Sequence, residues 1–240
     1  MAPVILQLSD ICYQYPGGPM VLDHLDFHLH AGDRIGLVAP NGSGKTTLFH
    51  MIMGLLKPIS GTLEAFGQTL TTEADFVQVR RRIGLLFQDA DDQLFSPTVL
   101  EDVAFGPLNL GKSKSEAIAI SIKTLAFLGL EGFSDRVTHK LSGGEKRLVA
   151  LATVLAMEPE VLLLDEPSSG LDIRTRETLI QVLDRLDLSL VIISHDFDFL
   201  SRTATRFYTM ANGRIVPDRE LHVHTHTHAH PMGQQPHGHE

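Results

Sequence analysis

The chain has 240 residues, of which 43% are hydrophobic and 20% are charged, a balance typical of soluble globular proteins. The net charge of −9 excludes a general affinity for nucleic acid, which requires clustered lysines and arginines. The single cysteine, Cys12, excludes an intramolecular disulfide and fits a reducing compartment. There is no secretory signal and no apolar run of roughly 20 residues, so we expect a chain that does not itself cross a membrane.

Two patterns along the chain predict β-structure. The N-terminal third alternates apolar and polar residues, which predicts a small antiparallel β subdomain. Apolar runs rich in Val, Ile and Leu are typical of strands buried on both faces of a parallel sheet, and they occupy residues 34–38, 82–87, 160–165 and 188–194. Between the last two, a helical face is predicted by the spacing of Leu179, Val182, Leu183 and Leu186. This βαβ order predicts an α/β fold.

The strand pattern disappears between Gln88 and Leu141. Residues 116–130 have the pattern of an amphipathic helix, preceded by residues that we interpret as breakers, Pro97, Gly106, Pro107 and Gly111. We therefore predict an inserted α-helical subdomain over about 89–150. The pair Asn212-Gly213 between two apolar runs predicts a hairpin. We expect one domain over residues 1–217, followed by a flexible histidine-rich tail over 218–240.

Residues 36–56 have the pattern of a strand, a glycine-rich turn and a helix that begins at Lys45. Such a turn directs backbone N–H groups at an anion, and the helix N-terminus adds partial positive charge, so we predict a phosphate-binding loop formed by Asn41, Gly42, Ser43, Gly44, Lys45, Thr46 and Thr47. The Lys45 amine can reach the β- and γ-phosphates and the Thr46 hydroxyl can ligate Mg²⁺. Ala39 replaces the usual first glycine; a positive φ there would cost about 1–2 kcal/mol. The alternative is a chance glycine turn.

Two further motifs carry charged or anion-binding groups. VLLLDEP (161–167) is an apolar strand that ends in Asp165, placed near the Mg²⁺, and Glu166, which can polarise an attacking water. The alternative is an acidic cap on a buried strand. LSGGE opens another helix and predicts a second anion cradle, which two chains arranged head to tail would close on each other's nucleotide; its residues are Ser142, Gly143, Gly144 and Glu145.

The motifs APNGSGKTT, LSGGE, LLLDEP, SGLD and ISHD, in this order, resemble the P-loop ATPase subunits of ATP-binding-cassette (ABC) transporters over residues 1 to about 217. The resemblance implies ATP sandwiched between two ATPase subunits, a homodimer by default, with LSGGE and Asp172 acting in trans. It implies that Tyr15, or else Tyr13, stacks on adenine. It also implies that Gln88 contacts Mg²⁺ with Thr46, and that Glu166 is the catalytic base, assisted by Lys45, Gln88 and His195.

Residues 87–111 resemble the corresponding segment of energy-coupling-factor importers. In that family, two ATPases drive a coupling membrane subunit that works with a substrate-binding membrane subunit, so the chain would lie on the cytoplasmic face of the cell membrane. Two departures are Ala39 and Leu148, the latter where a second arginine is common. Many relatives also have a longer C-terminal region, so we expect the dimer to depend more on ATP and the membrane partner.

The tail contains HVHTHTHAH and seven of the 13 histidines: His222, His224, His226, His228, His230, His237 and His239. Neutral imidazole binds nickel, copper, cobalt and zinc well. With the importer resemblance, the tail favours a transition metal cargo, nickel slightly ahead of cobalt. An engineered tag, a functionless tail and a metal buffer are the alternatives for the tail.

Two other functions compete with the importer reading as a whole. A conventional ABC importer for zinc, manganese or another substrate would use the same chemistry with different membrane proteins. A non-transport ABC ATPase acting on DNA or ribosomes would carry long coiled-coil insertions or tandem cassettes, and the sequence shows neither.

Overall fold

The computed structural model of the protein describes residues 2–40 and 42–217. Its strands, in chain order, are β1 Val4–Gln14, β2 Met20–His30, β3 Arg34–Val38, β4 Ser60–Ala65, β5 Gln68–Thr69, β6 Ile83–Leu86, β7 Val161–Asp165, β8 Ser189–Ile193, β9 Arg206–Ala211 and β10 Arg214–Pro217. Its α-helices are α1 Lys45–Ile52, α2 Glu73–Arg82, α3 Val99–Asn109, α4 Lys114–Phe127, α5 Gly143–Leu155, α6 Ile173–Asp184 and α7 Phe197–Thr203. The predicted α/β fold class is confirmed.

The strands form two sheets. The smaller sheet is antiparallel in the order β2-β1-β4-β5, and the larger has the order β10-β9-β3-β8-β7-β6. In the larger sheet β9, β3, β8, β7 and β6 are parallel, and only β10 runs antiparallel, to β9. Strands β7 and β8 are buried along their whole length, which explains their unbroken apolar sequence.

Apolar side chains fill both faces of the larger sheet. One core lies between the two sheets and α1, and the other lies between the larger sheet and helices that include α5 and α6. The predicted helical face over 174–187 contributes Leu179, Val182 and Leu183 to the second core. Leu186 lies beyond the last residue of α6 but packs against the same core.

Helices α3, α4 and α5 pack against one another in the region predicted to be a helical insert. Interpreting Gly106 and Pro107 as breakers was wrong, because both lie inside α3. The helix begins with a capping box between Thr98 and Glu101, and Pro107 occurs only in its last turn. Gly106 serves close packing: a Cβ atom there would lie 2.6 Å from Cγ of Met157.

The predicted hairpin between β9 and β10 is confirmed. Asn212 (φ 51°) and Gly213 (φ 72°) both adopt left-handed backbone conformations, as a two-residue type I′ turn requires. Across residues 2–40 and 42–217, no helix combines the length and apolarity needed to span a membrane. The histidine tail lies outside the described residues, so the division at residue 217 stays a prediction.

Candidate active site

The candidate site lies at one edge of the larger sheet, where three neighbouring parallel strands end. The phosphate loop follows β3, Asp165 and Glu166 stand at the end of β7, and His195 lies two residues beyond β8. Parallel strands end at the same edge, and ligands of open α/β sheets bind outside those carboxyl ends. Sequence positions more than 100 residues apart therefore meet.

The phosphate loop turns through two glycines with positive φ, Gly42 (78°) and Gly44 (98°), and α1 begins at Lys45 as predicted. The Lys45 Nζ donates to the carbonyl of Ala39 at 3.1 Å and to Oε1 of Glu166 at 2.9 Å. Ala39 does not have a positive φ, so the strain considered for an alanine at this position does not arise. Asn41 lies outside the described residues.

Glu166 is held by contacts on both carboxylate oxygens. Oε1 pairs with Lys45, and Oε2 lies 2.9 Å from Nδ1 of His195. Burial raises the pKa of this carboxyl, but hydrogen bonds from Lys45 and His195 outweigh burial and hold the pKa below its ordinary value. The backbone of Glu166 has φ 48°, and its N–H donates to the carbonyl of Ile193. A strained, ionised and buried carboxylate of this kind is suited to accept a proton from water.

Asp165 lies beside the phosphate loop on the other side. Its Oδ2 accepts a hydrogen bond from the Thr46 hydroxyl at 2.8 Å. Burial raises the pKa of Asp165, partly offset by Thr46 and Lys45. Among the described residues, two buried oxygens lack any hydrogen-bond partner, Oδ1 of Asp165 and Oγ of Ser43. Carboxylate and hydroxyl oxygens are the ligands that Mg²⁺ prefers, so these residues fit Mg²⁺ with a phosphate group.

Thr46 and Asp165 line a cavity of about 620 Å³, and Gln88 lines the same cavity. Arg147, from α5, lines the cavity and donates to the backbone carbonyls of Phe87 and Gln88. Sequence reasoning missed this role, because a Lys-Arg pair gives no indication that the arginine is buried. Arg147 links the helical insert to the segment that carries Gln88.

Two tyrosines, Tyr13 and Tyr15, lie near the C-terminal end of β1. Tyr15 donates or accepts a hydrogen bond with the Thr47 hydroxyl at 3.1 Å, and its ring packs edge-to-face on Tyr13. Tyr15 is 43% exposed whereas Tyr13 is 8% exposed. Tyr15 therefore offers a ring face to a ligand, while Tyr13 belongs to the core.

The LSGGE residues form a separate group. Ser142 and Glu145 make a capping box at the start of α5, which holds the pKa of Glu145 below its ordinary value. A Cβ atom at Gly144 would lie 3.0 Å from Oγ1 of Thr175, which in turn donates to Asp172. Within the described part of the chain, no hydrogen bond or ion pair joins this group to the phosphate loop. The structure thus brings together Lys45, Thr46, Asp165, Glu166 and His195, and leaves LSGGE and Asp172 elsewhere.

A phosphate loop beside a strand that ends in Asp-Glu, with a histidine after the next strand, defines a P-loop ATPase. The profile of the ABC transporter family matches residues 22–169 of the chain. The chain belongs to this family, as an ATPase that couples ATP hydrolysis to transport.

Individual relatives agree with this assignment. A putative ABC transporter ATP-binding protein of Nitratidesulfovibrio vulgaris is 56% identical, over 90% of this chain and 79% of its own. The energy-coupling factor transporter ATP-binding protein EcfA of Methanothermobacter thermautotrophicus is 39% identical, over 89% and 70%. The cobalt import ATP-binding protein CbiO of Rhodobacter capsulatus is 44% identical, over 89% and 78%.

A solved structure has the same fold. CbiO1 of Clostridium perfringens, described as part of the ABC transporter complex cbiONQ, superposes with a TM-score of 0.79. It is 34% identical, and the match covers 89% of this chain and 87% of that one.

Proposed function

We propose that the chain is the ATPase subunit of an energy-coupling-factor importer that takes up a transition metal ion, nickel or cobalt, and that it works at the cytoplasmic face of the cell membrane. The similarity to EcfA and to the cobalt import protein CbiO supports the type of importer and this class of cargo. The match to CbiO1 of the cbiONQ complex supports assembly with membrane subunits.

One observation carries the catalytic assignment: the Glu166 carboxylate lies between the Lys45 ammonium and the His195 ring. Glu166 accepts the proton of the attacking water as general base. The exposed His195 ring orients that carboxylate from one side and holds the γ-phosphate and the water. Lys45 neutralises charge on the γ-phosphate as it develops, and in doing so exchanges its pairing with Glu166 for the phosphate oxygens.

Thr46 and Gln88 would hold Mg²⁺, with Asp165 behind them. When bound, Mg²⁺ would offset the negative charge of the phosphates. The Asp165 carboxylate orients the Thr46 hydroxyl through their 2.8 Å hydrogen bond, and its Oδ1 has no hydrogen-bond partner among the described residues. Arg147 fixes the backbone carbonyl of Gln88, so a shift of the helical insert is transmitted directly to the Gln88 position.

ATP binding requires two chains in this proposal. The adenine stacks on the exposed ring of Tyr15, and the phosphates lie on the loop of the same chain, which includes Asn41, Gly42, Ser43, Gly44 and Thr47. The LSGGE residues and Asp172 close each site in trans, because they lie apart from the phosphate loop of their own chain. Ser142, Gly143, Gly144 and Glu145 open α5 and present its N-terminus to the partner's nucleotide.

The helical insert also offers a docking surface for the energy-coupling transmembrane subunit. An apolar groove of about 420 Å³ lies between α3, β6 and α5, and exposed Phe95 and Phe105 stack edge-to-face beside it. The groove includes Gln93, whose side chain accepts a hydrogen bond from the Phe87 N–H. Movement of a membrane subunit seated there would reach the adjoining Gln88. A separate substrate-binding membrane subunit completes the transporter.

In this proposal the tail histidines are ligands for the cargo, Ni²⁺ or Co²⁺. Their sequence supports this role, since imidazole suits both ions and histidine recurs at every second position over residues 222–230. The presence of seven histidines in the tail also supports a role in capturing metal ions close to the transporter.

The test is metal accumulation in cells that express the whole transporter. Intact protein is compared with Glu166→Gln and with a chain truncated after Asp218, while ATP hydrolysis by each purified complex is measured separately. Nickel or cobalt uptake that disappears in Glu166→Gln establishes an ATP-driven importer of that metal. Reduced uptake in the truncated chain at low metal concentration assigns a role to the tail. A hydrolysing complex that accumulates zinc, or none of these metals, contradicts the cargo.

A further inference from the structure

The antiparallel sheet contains a group of ligand-type side chains that the ATPase does not use. Cys12, Asp23 and His24 place one candidate ligand atom each within 4.8 Å of one another. They lie on adjacent strands, Cys12 on β1 and the other two on β2. We propose that these three side chains form a binding site for a divalent transition metal ion such as Co²⁺, Ni²⁺ or Zn²⁺.

A β-bulge produces this arrangement. Ile11 pairs with Leu25 and Tyr13 pairs with Leu22, so Cys12 alone lies opposite two residues, Asp23 and His24. The His24 N–H points at the Cys12 sulfur, with a separation of 3.4 Å. Bulges redirect side chains that regular pairing would place on opposite faces of a sheet. Here the bulge brings a buried thiol and an exposed imidazole to one point.

One separation between candidate ligand atoms is close to that expected around a bound ion. Nε2 of His24 lies 4.0 Å from Oδ1 of Asp23. Two ligands of one tetrahedral ion, with bonds of about 2.0–2.3 Å, stand about 3.3–3.8 Å apart. The observed separation is only slightly longer than this range, and the His24 and Asp23 side chains are 59% and 39% exposed, so neither is confined by tight packing. The Cys12 thiol forms the inner wall, and the site opens to solvent through the other two.

The surroundings resemble those of known metal-binding histidines. Nδ1 of His24 donates to the Asp10 carboxylate at 2.6 Å, which leaves Nε2 as the ligating nitrogen. Metal-bound histidines commonly donate their second ring N–H to a carboxylate in this way. Arg214 binds Oδ2 of Asp23 at 2.9 Å and leaves Oδ1 available. A thiolate, an imidazole and a carboxylate favour borderline metals over Mg²⁺ or Ca²⁺.

Cys12, Asp23 and His24 lie close to strand residues that support the nucleotide site, so an ion bound by them would affect that support. Val21 and Leu22, next to Asp23 on β2, pack on Gly44 of the phosphate loop: a Cβ atom at Gly44 would lie 3.1 Å from each. Tyr15 follows β1 three residues after Cys12. An ion that joins β1 to β2 therefore fixes the strands that support both the phosphate loop and the Tyr15 ring.

Cobalt(II) titration of the full chain under reducing conditions tests the site, since Co²⁺ bound to thiolate has a charge-transfer band in the near ultraviolet. Cys12 is the only cysteine, so the tail histidines cannot produce this band. We expect a saturable band that is absent in Cys12→Ser. In His24→Asn the apparent affinity should fall by at least about tenfold, the lower end of the loss seen even for supporting residues. Asparagine suits this position because it tolerates the positive φ of His24 (50°).

His28→Asn is the matched control, since His28 is an exposed histidine of the same strand outside the group and should leave the titration unchanged. A chain truncated after Asp218 should keep the band. The proposal is overturned if the intact protein shows no band, if truncation removes it, or if His24→Asn and His28→Asn titrate identically. If Cys12→Ser does not fold, as judged by circular dichroism, the comparison of the two histidine variants decides the outcome.

Discussion

The Lys45 ammonium lies 2.9 Å from the Glu166 carboxylate, and both side chains are almost entirely buried. The pair joins the phosphate loop to the end of β7 across 121 residues of sequence. It also places at one point the two charges to which we assign roles in ATP hydrolysis. Substituting either residue should therefore distinguish its effect on the rate of ATP hydrolysis from its effect on the free energy of unfolding.

Replacing Glu166 by glutamine keeps the shape of the side chain and removes the proposed general base. We expect the rate of ATP hydrolysis to fall by about 10²–10⁴-fold, the usual contribution of a general base. ATP binding should persist, because Lys45 and the phosphate loop are unchanged. Phosphate release and binding of a fluorescent ATP analogue measure the two effects. Hydrolysis within tenfold of the original protein would contradict the assignment.

Replacing Lys45 by methionine should make stability depend differently on pH. In the original protein the pKa of Glu166 is below its ordinary value of 4.5, so Glu166 contributes stability above that pH and loses it in acid. Without Lys45, burial is the largest remaining influence on Glu166 and raises its pKa, so we expect the variant to lose stability as pH increases above 4.5. The deficit in melting temperature should therefore be larger at pH 7.5 than at pH 4.5. An equal deficit at both would show that Lys45 does not govern the Glu166 charge.

His195→Gln should impair chemistry with little effect on the fold. The His195 side chain is 72% exposed, and such substitutions usually change the free energy of unfolding by no more than about 0.5 kcal/mol. Hydrolysis should fall by at least about tenfold, since Glu166 loses an orienting contact. The change should be in kcat rather than in KM for ATP. A variant that melts far below the original protein would indicate a structural role instead.

Much of this site could be predicted from sequence because its elements are local. The glycine turn, the helix that begins at LSGGE and the Asp-Glu end of β7 each depend on residues within a few positions of one another. Helix α3 could not be predicted from sequence, because Gly106 is needed for close packing against Met157, about 50 residues away. Arg147 likewise depends on tertiary contacts with the carbonyls of Phe87 and Gln88.

The metal-ligand group on the small sheet was missed for a related reason. Sequence alternation assigns Cys12 to the core and gives no indication of a bulge opposite it. The bulge arises only when β1 pairs with β2 in the observed register. The choice between Tyr13 and Tyr15, left open by the sequence, also depends on burial in the folded chain.

Gly143→Ala tests whether LSGGE acts on a partner chain. A Cβ atom at this position has no neighbour within 4 Å in its own chain, and alanine favours a helix over glycine. The melting temperature of the isolated chain should therefore stay constant or increase. Hydrolysis by the assembled transporter should decrease, because the methyl group intrudes on the trans nucleotide. Unchanged hydrolysis would remove Gly143 from that contact.

The order of the larger sheet has a consequence for synthesis on the ribosome. Strand β3, which leads into the phosphate loop, pairs only with β8 and β9, and Arg34 bonds to the carbonyls of Leu183, Leu186 and Thr203. At translation rates of about 5–20 residues per second, these partners are synthesised roughly 8 to 30 seconds after β3. A nascent chain thus carries a nucleotide motif that gains its supporting sheet only after β8 and β9 have been synthesised. Chains interrupted before β9 should consequently fail to retain ATP, because β3 then lacks one of its two neighbouring strands.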